Sequence, residues 1–160
     1  MAITESRLKD GVLSLGTGPG LDFSCQVTNA RINSSYDDDG DAVETLCGDQ
    51  IAAGRKLSGR ALAGTFIQDW TAAASASVTD YCYTHDLEEV AFSYKPNATG
   101  PTLSGTLRIE VPSETYGGDV NTRLTSDFEW QLTAPLVRTP PVAADEATAT
   151  EGDREPEPVA

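Results

Sequence analysis

The chain predicts a mainly β domain: an antiparallel β-sandwich or distorted barrel with one flanking α-helix and a long loop. Three observations carry this. Leu103, Gly105, Leu107, Ile109 and Val111 alternate with Ser104, Thr106, Arg108 and Glu110, the period of two expected of a half-buried antiparallel strand. Phe128, Trp130 and Leu132 alternate in the same way with Asp127, Glu129 and Gln131. Val78, Tyr81, Cys82 and His85 instead recur at i, i+3, i+4 and i+7, one face of a helix. Strands, a single short helix, then strands again is the order of a sandwich or barrel with a helix packed at its side.

Taken in order, Gly11 to Leu15 reads as a short strand, and Gly16, Gly18, Pro19 and Gly20 punctuate it. Leu21, Phe23, Cys25 and Val27 alternate with Asp22, Ser24, Gln26 and Thr28, a second strand running toward Ile32. Asn33 to Gly54 has few large apolar residues and four aspartates between Asp37 and Asp41. It reads as a loop, and loops of that length are usually functional or disordered. Leu57 to Trp70 returns to strand, with Leu62, Phe66 and Ile67 as core residues. The helical pattern lies within Thr71 to Asp86, where Ser77 and Asp80 resemble a capping box. Glu88 to Lys95 is a strand with Val90, Phe92 and Tyr94 on one face. The turn Pro96 to Pro101 leads into the strand from Leu103, which Pro112 must end because it has no N–H to donate. Gly117-Gly118-Asp119 supplies a turn before the aromatic strand. Phe66, Trp70, Phe92, Phe128 and Trp130 are the expected core aromatics.

After Leu136 the composition shifts, and Pro140-Pro141 is followed by Ala, Thr, Glu, Asp and Pro with no Leu, Ile, Met or aromatic residue. Such a segment cannot bury enough surface to offset chain entropy. The expected organisation is therefore one domain over residues 1–138 and a disordered acidic tail over 139–160.

The formal net charge is −14. The last twenty residues hold six acids and one base, or −5, so residues 1–140 still carry −9. An acidic domain should not grip nucleic acid, because phosphate binding needs Lys and Arg to displace counterions. It can line a path that DNA crosses without sticking, and it also serves solubility. Cys25, Cys47 and Cys82 are odd in number and not paired by spacing, which fits reduced thiols better than a disulfide scaffold. The first residues show no apolar run of a signal peptide, and no segment has the length of a membrane span.

Nothing in the chain points to a reaction. If Gly40 were the sixth position of an EF-hand loop, Ser35 and Leu46 would occupy positions that need carboxylates. His85 is the single histidine, and no nucleophile motif accompanies it. Gly16 to Gly20 lacks the lysine of a phosphate-binding loop. No catalytic, cofactor or metal residue is assigned, and the chain is expected not to be an enzyme.

GTFIQDW (Gly64 to Trp70), EEVAFSYKPN (Glu88 to Asn97) and SGTLRIEVPSETYGGDVNTRLTSDFEW (Ser104 to Trp130) together resemble the major tail tube proteins of long-tailed, siphovirus-type bacteriophages, notably those of actinobacteria. The similarity covers roughly residues 10–135. The third element is the most distinctive, with its strand, proline, Gly-Gly-Asp-Val-Asn loop and aromatic strand. The resemblance implies the tail tube fold and a structural virion protein. Such proteins form hexameric rings that stack into a tube, the conduit for genome ejection. It implies the chain itself, the tape measure, the tail tip and the tail terminator as partners. DNA would pass through the lumen without specific binding. The location would be the virion tail, and the host cytoplasm during assembly. The acidic tail is no part of the shared pattern.

With that resemblance, Asp37, Asp38, Asp39, Asp41 and Glu44 become candidates for an arm that reaches a neighbouring ring. Glu110 and Glu114, with the acids from Asp37 to Glu44, are candidates for lumen-facing charge. The alternatives are a tail-completion or adaptor ring protein, and a stand-alone β-sandwich binding module. The latter would need clustered exposed aromatics in a chain only 7% aromatic.

Overall fold

The computed structural model describes residues 8–18, 20–70 and 76–141. Two antiparallel sheets face each other across one core. The first contains β1 (Val12–Leu15), β2 (Leu21–Asp22), β7 (Glu89–Lys95), β8 (Thr102–Arg108) and β10 (Val137–Thr139), in the order β10-β8-β7-β1-β2. The second contains β3 (Val27–Asp39), β6 (Gly54–Ile67) and β9 (Thr125–Gln131), in the order β3-β6-β9. A two-stranded tip, β4 (Val43–Glu44) with β5 (Gln50–Ile51), connects β3 to β6. One helix, α1 (Val78–Thr84), lies between β6 and β7 in the chain.

The sheets do not close into a barrel. They meet at one corner, where the Leu132 N–H donates to Arg60 O in the second sheet (2.8 Å) and the Thr133 N–H donates to Thr106 O in the first (3.0 Å). The chain also changes sheets between β2 and β3. There the Asp22 carboxylate accepts the Ser24 N–H at 2.9 Å, a local side-chain turn that competes with strand pairing. The alternating run from Leu21 to Thr28 is therefore two strands broken by a turn, not one strand. Phe23 is buried and Cys25 is exposed.

Alternation fixes which side chains enter the core. Leu13, Leu15, Val90, Phe92, Tyr94 and Leu107 come from the first sheet, and Leu62, Phe66, Phe128 and Trp130 from the second. Tyr94 donates its hydroxyl to Ala30 O (2.9 Å), tying one sheet to the other. Trp130 stacks on Phe128 with ring centroids 4.2 Å apart, and its indole N–H reaches Glu110 O at 3.0 Å. The largest core ring thus leaves no orphaned donor. Gly64 permits the close approach of β3 to β6. A Cβ there would lie 2.0 Å from Asn29 O, beside the register shift between Val27 and Asn29.

Helix α1 plugs one end of the sandwich with Val78, Tyr81 and Cys82. Ser77 sits at its N-cap without making a side-chain cap bond. Its hydroxyl donates to Asp69 O instead, at 2.6 Å. Gln26 does the capping from the β2–β3 turn: its Oε1 accepts the Val78 N–H at 2.9 Å, and its amide nitrogen bonds Ala76 O. The expected capping box is replaced by a tertiary cap. The expected start of the helical region, residues 71–75, lies outside the described residues.

Four further expectations change. Asn33 to Gly54 is not a loop, because strand structure runs to Asp39 and resumes at Gly54. The strand expected to end at Trp70 ends at Ile67, and Trp70 is 49% exposed, outside the core. The strand from Leu103 ends at Arg108, well before Pro112; past that end Ile109 still exchanges backbone hydrogen bonds with Leu87 and Glu88, and Leu87 has a left-handed backbone (φ 63°). Thr139, expected in a disordered tail, pairs with Thr102 in β10. Residues 142–160 lie outside the described residues.

Candidate assembly surfaces

The β3–β6 ribbon is the first surface. β9 accompanies β6 only over Ala61 to Ile67. Ser34 to Asp39 and Gly54 to Arg60 therefore form a two-stranded extension beyond the three-stranded sheet. Its residues are exposed almost throughout, as are β4 and β5. Arg55 lies 5.9 Å over the Tyr36 ring and 3.8 Å from the Asp38 carboxylate. An isolated two-stranded hairpin is marginally stable in water, so these exposed contacts contribute little. The ribbon and tip also expose Tyr36, Val43, Leu46, Ile51 and Leu57. Among the arm candidates, Asp37, Asp38 and Asp39 end β3, Asp41 follows the Gly40 turn, and Glu44 lies on β4. All five are exposed.

The second surface is the outer face of the three-stranded sheet. Ala61, Ala63 and Thr65 on the central strand stand between Asn29, Arg31 and Asn33 on β3 and Asp127, Glu129 and Gln131 on β9. Arg31, Thr65, Asp127 and Glu129 line a shallow depression there. Thr65 donates to Asp127 Oδ1 at 2.6 Å. Asp127 and Glu129 were not among the candidate acids, although their alternation with Phe128 and Trp130 already set them opposite the core. Both strands that flank Ala61 and Ala63 are sheet edges, and so are β10 and β2 of the first sheet.

Glu110 and Glu114 are exposed on the connection from β8 to β9. Their backbone oxygens accept from Trp130 and Ser126, so this connection runs beside β9. Gln68 holds its next residues. The Gly117 N–H donates to Gln68 Oε1 (3.1 Å), and Gln68 Nε2 reaches Gly117 O, Thr125 O and Ser126 Oγ at 3.0–3.2 Å.

The third surface lies where that connection meets α1. The rings of Trp70 and Tyr116 are 5.9 Å apart, and those of Tyr83 and Tyr116 are 5.4 Å apart. All three are about half exposed. Tyr116 has a left-handed backbone (φ 56°) and donates its hydroxyl to Asp80 Oδ1 at 2.5 Å. That bond to a carboxylate pushes its pKa up to about 12. Tyr83 Oη and Thr115 Oγ1 share a hydrogen bond at 2.8 Å. Spacing along the sequence could not reveal this cluster, because its members come from three separate segments.

Cys25 and Cys47 are exposed, and Cys82 is buried. Burial, with Asp86 adding a smaller effect, pushes the Cys82 thiol up to about 12. It is a core residue and not a reactive one. Among the described residues no group of side chains forms a metal site, and no helix is long and apolar enough to cross a membrane.

No protein-family model matches the chain, and no curated protein matches its sequence. Among solved structures it is similar to a chain from the virion of a native gene transfer agent particle. The TM-score is 0.58 at 15% identity, over 84% of this chain and 99% of the other. At that identity the likeness is one of fold.

Proposed function

We propose that this chain is a structural virion protein whose copies join head to tail into rings, hexameric in the tail tube reading, that stack into the tube through which a genome leaves the particle. The observation that carries the reading is the β3–β6 ribbon, which extends past its sheet with both faces exposed and apolar residues at its tip. Such an element gains stability by docking on another copy. Edge strands on the three-stranded sheet support the same reading. Exposed edges invite pairing, and a heterologous contact closes into rings or extends as a filament. The shared fold with a virion chain adds to it.

On this reading the outer face of the three-stranded sheet lines the lumen. Asp127 and Glu129 then turn carboxylates toward passing phosphates, and Glu110 and Glu114 stand on the adjoining connection. Like-charge repulsion keeps DNA from sticking. The tape measure, tail tip and tail terminator would be the neighbours in the tail.

The test is removal of Asp37 to Gly48 from the full chain, followed by sedimentation and denaturant melting. The expected product folds and does not form tubes. Normal tubes from the shortened chain would refute the arm. A variant that forms single rings without stacking would separate ring closure from stacking, and wild-type protein that stops at single rings would favour the adaptor alternative.

A further inference from the structure

Among the described residues, two groups of exposed apolar side chains lie at opposite ends of one strand. The tip carries Val43, Leu46 and Ile51, with Leu46 fully exposed, and precedes the start of β6. The Trp70–Tyr83–Tyr116 cluster lies just beyond its end, since Trp70 follows Ile67 and the two tyrosines pack beside it. The strand has 14 residues, so the two features are separated by about 46 Å at about 3.3 Å per residue. They cannot meet within one copy. Two copies related by a translation along the ribbon bring them together.

We propose that the aromatic cluster is the receptor on one copy for the hairpin tip of the next. The proposal rests on the tube reading above and names the surface on which the arm lands. The cluster has the make-up of an interface anchor, with two tyrosines and a tryptophan gathered in one place. It is also preorganised. Tyr116 is held by Asp80, Tyr83 by Thr115, and the connection that carries Tyr116 by Gln68. The backbone at Tyr116 is left-handed, and strain of this kind clusters at binding sites. Leu87, just after α1, and Val120, on the same connection as Tyr116, add exposed apolar area at this end of the molecule.

Apolar side chains, not charge, select the occupant. Asp80 bonds Tyr116 in the cluster and Glu114 lies two residues before it, and residues 142–160 are acidic with no Leu, Ile, Met or aromatic side chain. That segment would be repelled and has only isolated valines and prolines to pack on the rings. The tip is acidic too, with Asp41, Glu44 and Asp49, but it also presents Val43, Leu46 and Ile51, all exposed and close together in the chain. The contact is therefore apolar at its centre.

Cys47 sits at the tip and is exposed, which supplies the probe. In a full chain carrying Cys25→Ser and Tyr83→Cys, assembled and treated with diamide, the expected result is a ladder of disulfide-linked oligomers from dimer upward. Adding Cys47→Ser abolishes the ladder. Dimers alone would mean a reciprocal pair and would overturn the head-to-tail contact. No ladder from a chain that still forms tubes would place the tip elsewhere. Leu46→Asp, at a position whose side chain touches no core residue, checks the contact independently of any change on α1. The expected effect is at least a tenfold rise in the concentration needed for stacking, and no change overturns the proposal. Tubes formed without residues 37–48 would instead defeat the arm reading itself, a result distinct from either of these.

Discussion

Trp130 and Trp70 are the two tryptophans of the chain, and their surroundings assign them different work. Trp130 is 1% exposed, stacked on Phe128 and satisfied at its N–H. Trp130→Ala should cost about 3–5 kcal/mol in denaturant melts of the full chain, the range for emptying a core aromatic site. Trp70→Ala should cost less than about 1 kcal/mol, as for substitutions away from the core. Equal losses would contradict the placement of both. Sequence alone set both in the core, since each is a large ring near the end of an expected strand. What distinguishes Trp70 is that β6 stops at Ile67, and that limit is tertiary. Cys82, Tyr81 and Tyr94 add a pH dependence, because burial raises all three above their ordinary values. These groups are neutral when protonated, and below pH 9.0, the ordinary value of a thiol, they are protonated in folded and unfolded chains alike. Above it the unfolded thiol ionises while the buried one stays neutral up to about 12. Their contribution is thus intact below pH 9 and declines as pH rises from 9 toward 12. The denaturation midpoint should fall across that window, with a shallower slope in Cys82→Ala. A midpoint that rises there would contradict the assignment.

The elements show which signals a sequence can carry. β7, β8 and β9 were legible because each has one face in the core and one outside, which forces apolar and polar residues to alternate. The ribbon was not, because neither of its faces is buried and no alternation is required. Its serines and aspartates look like loop composition, yet they pair with the strand from Gly54 to Arg60, with one register shift between Ser35 and Tyr36. The α1 cap was illegible for another reason: its partner, Gln26, is far away in sequence. Among the glycines, Gly64 is constrained by contact. Gly64→Ala should destabilise the fold by about 1–3 kcal/mol, since the added methyl meets Asn29 O and the Phe128 ring. A loss below about 0.5 kcal/mol in thermal or denaturant melts would mean that β3 and β6 separate easily at this bulge.

At the scale of the molecule, the sandwich class and its flanking helix followed from strand order and period. The order of strands within each sheet did not, nor did the open corner at Leu132 and Thr133. Both depend on which edges meet in space. Those edges, with the ribbon and the aromatic cluster, are the surfaces that identical copies would cover in the proposed tube. Residues 1–140 carry −9, so in the proposed tube association would have to overcome mutual repulsion through strand pairing and apolar burial, leaving the acids to the proposed lumen and the exterior. Negative-stain electron microscopy of the purified full chain at high concentration tests this most directly. The account predicts hollow tubes of stacked rings with a regular axial repeat. A field of single, separate particles at every concentration and salt would contradict it.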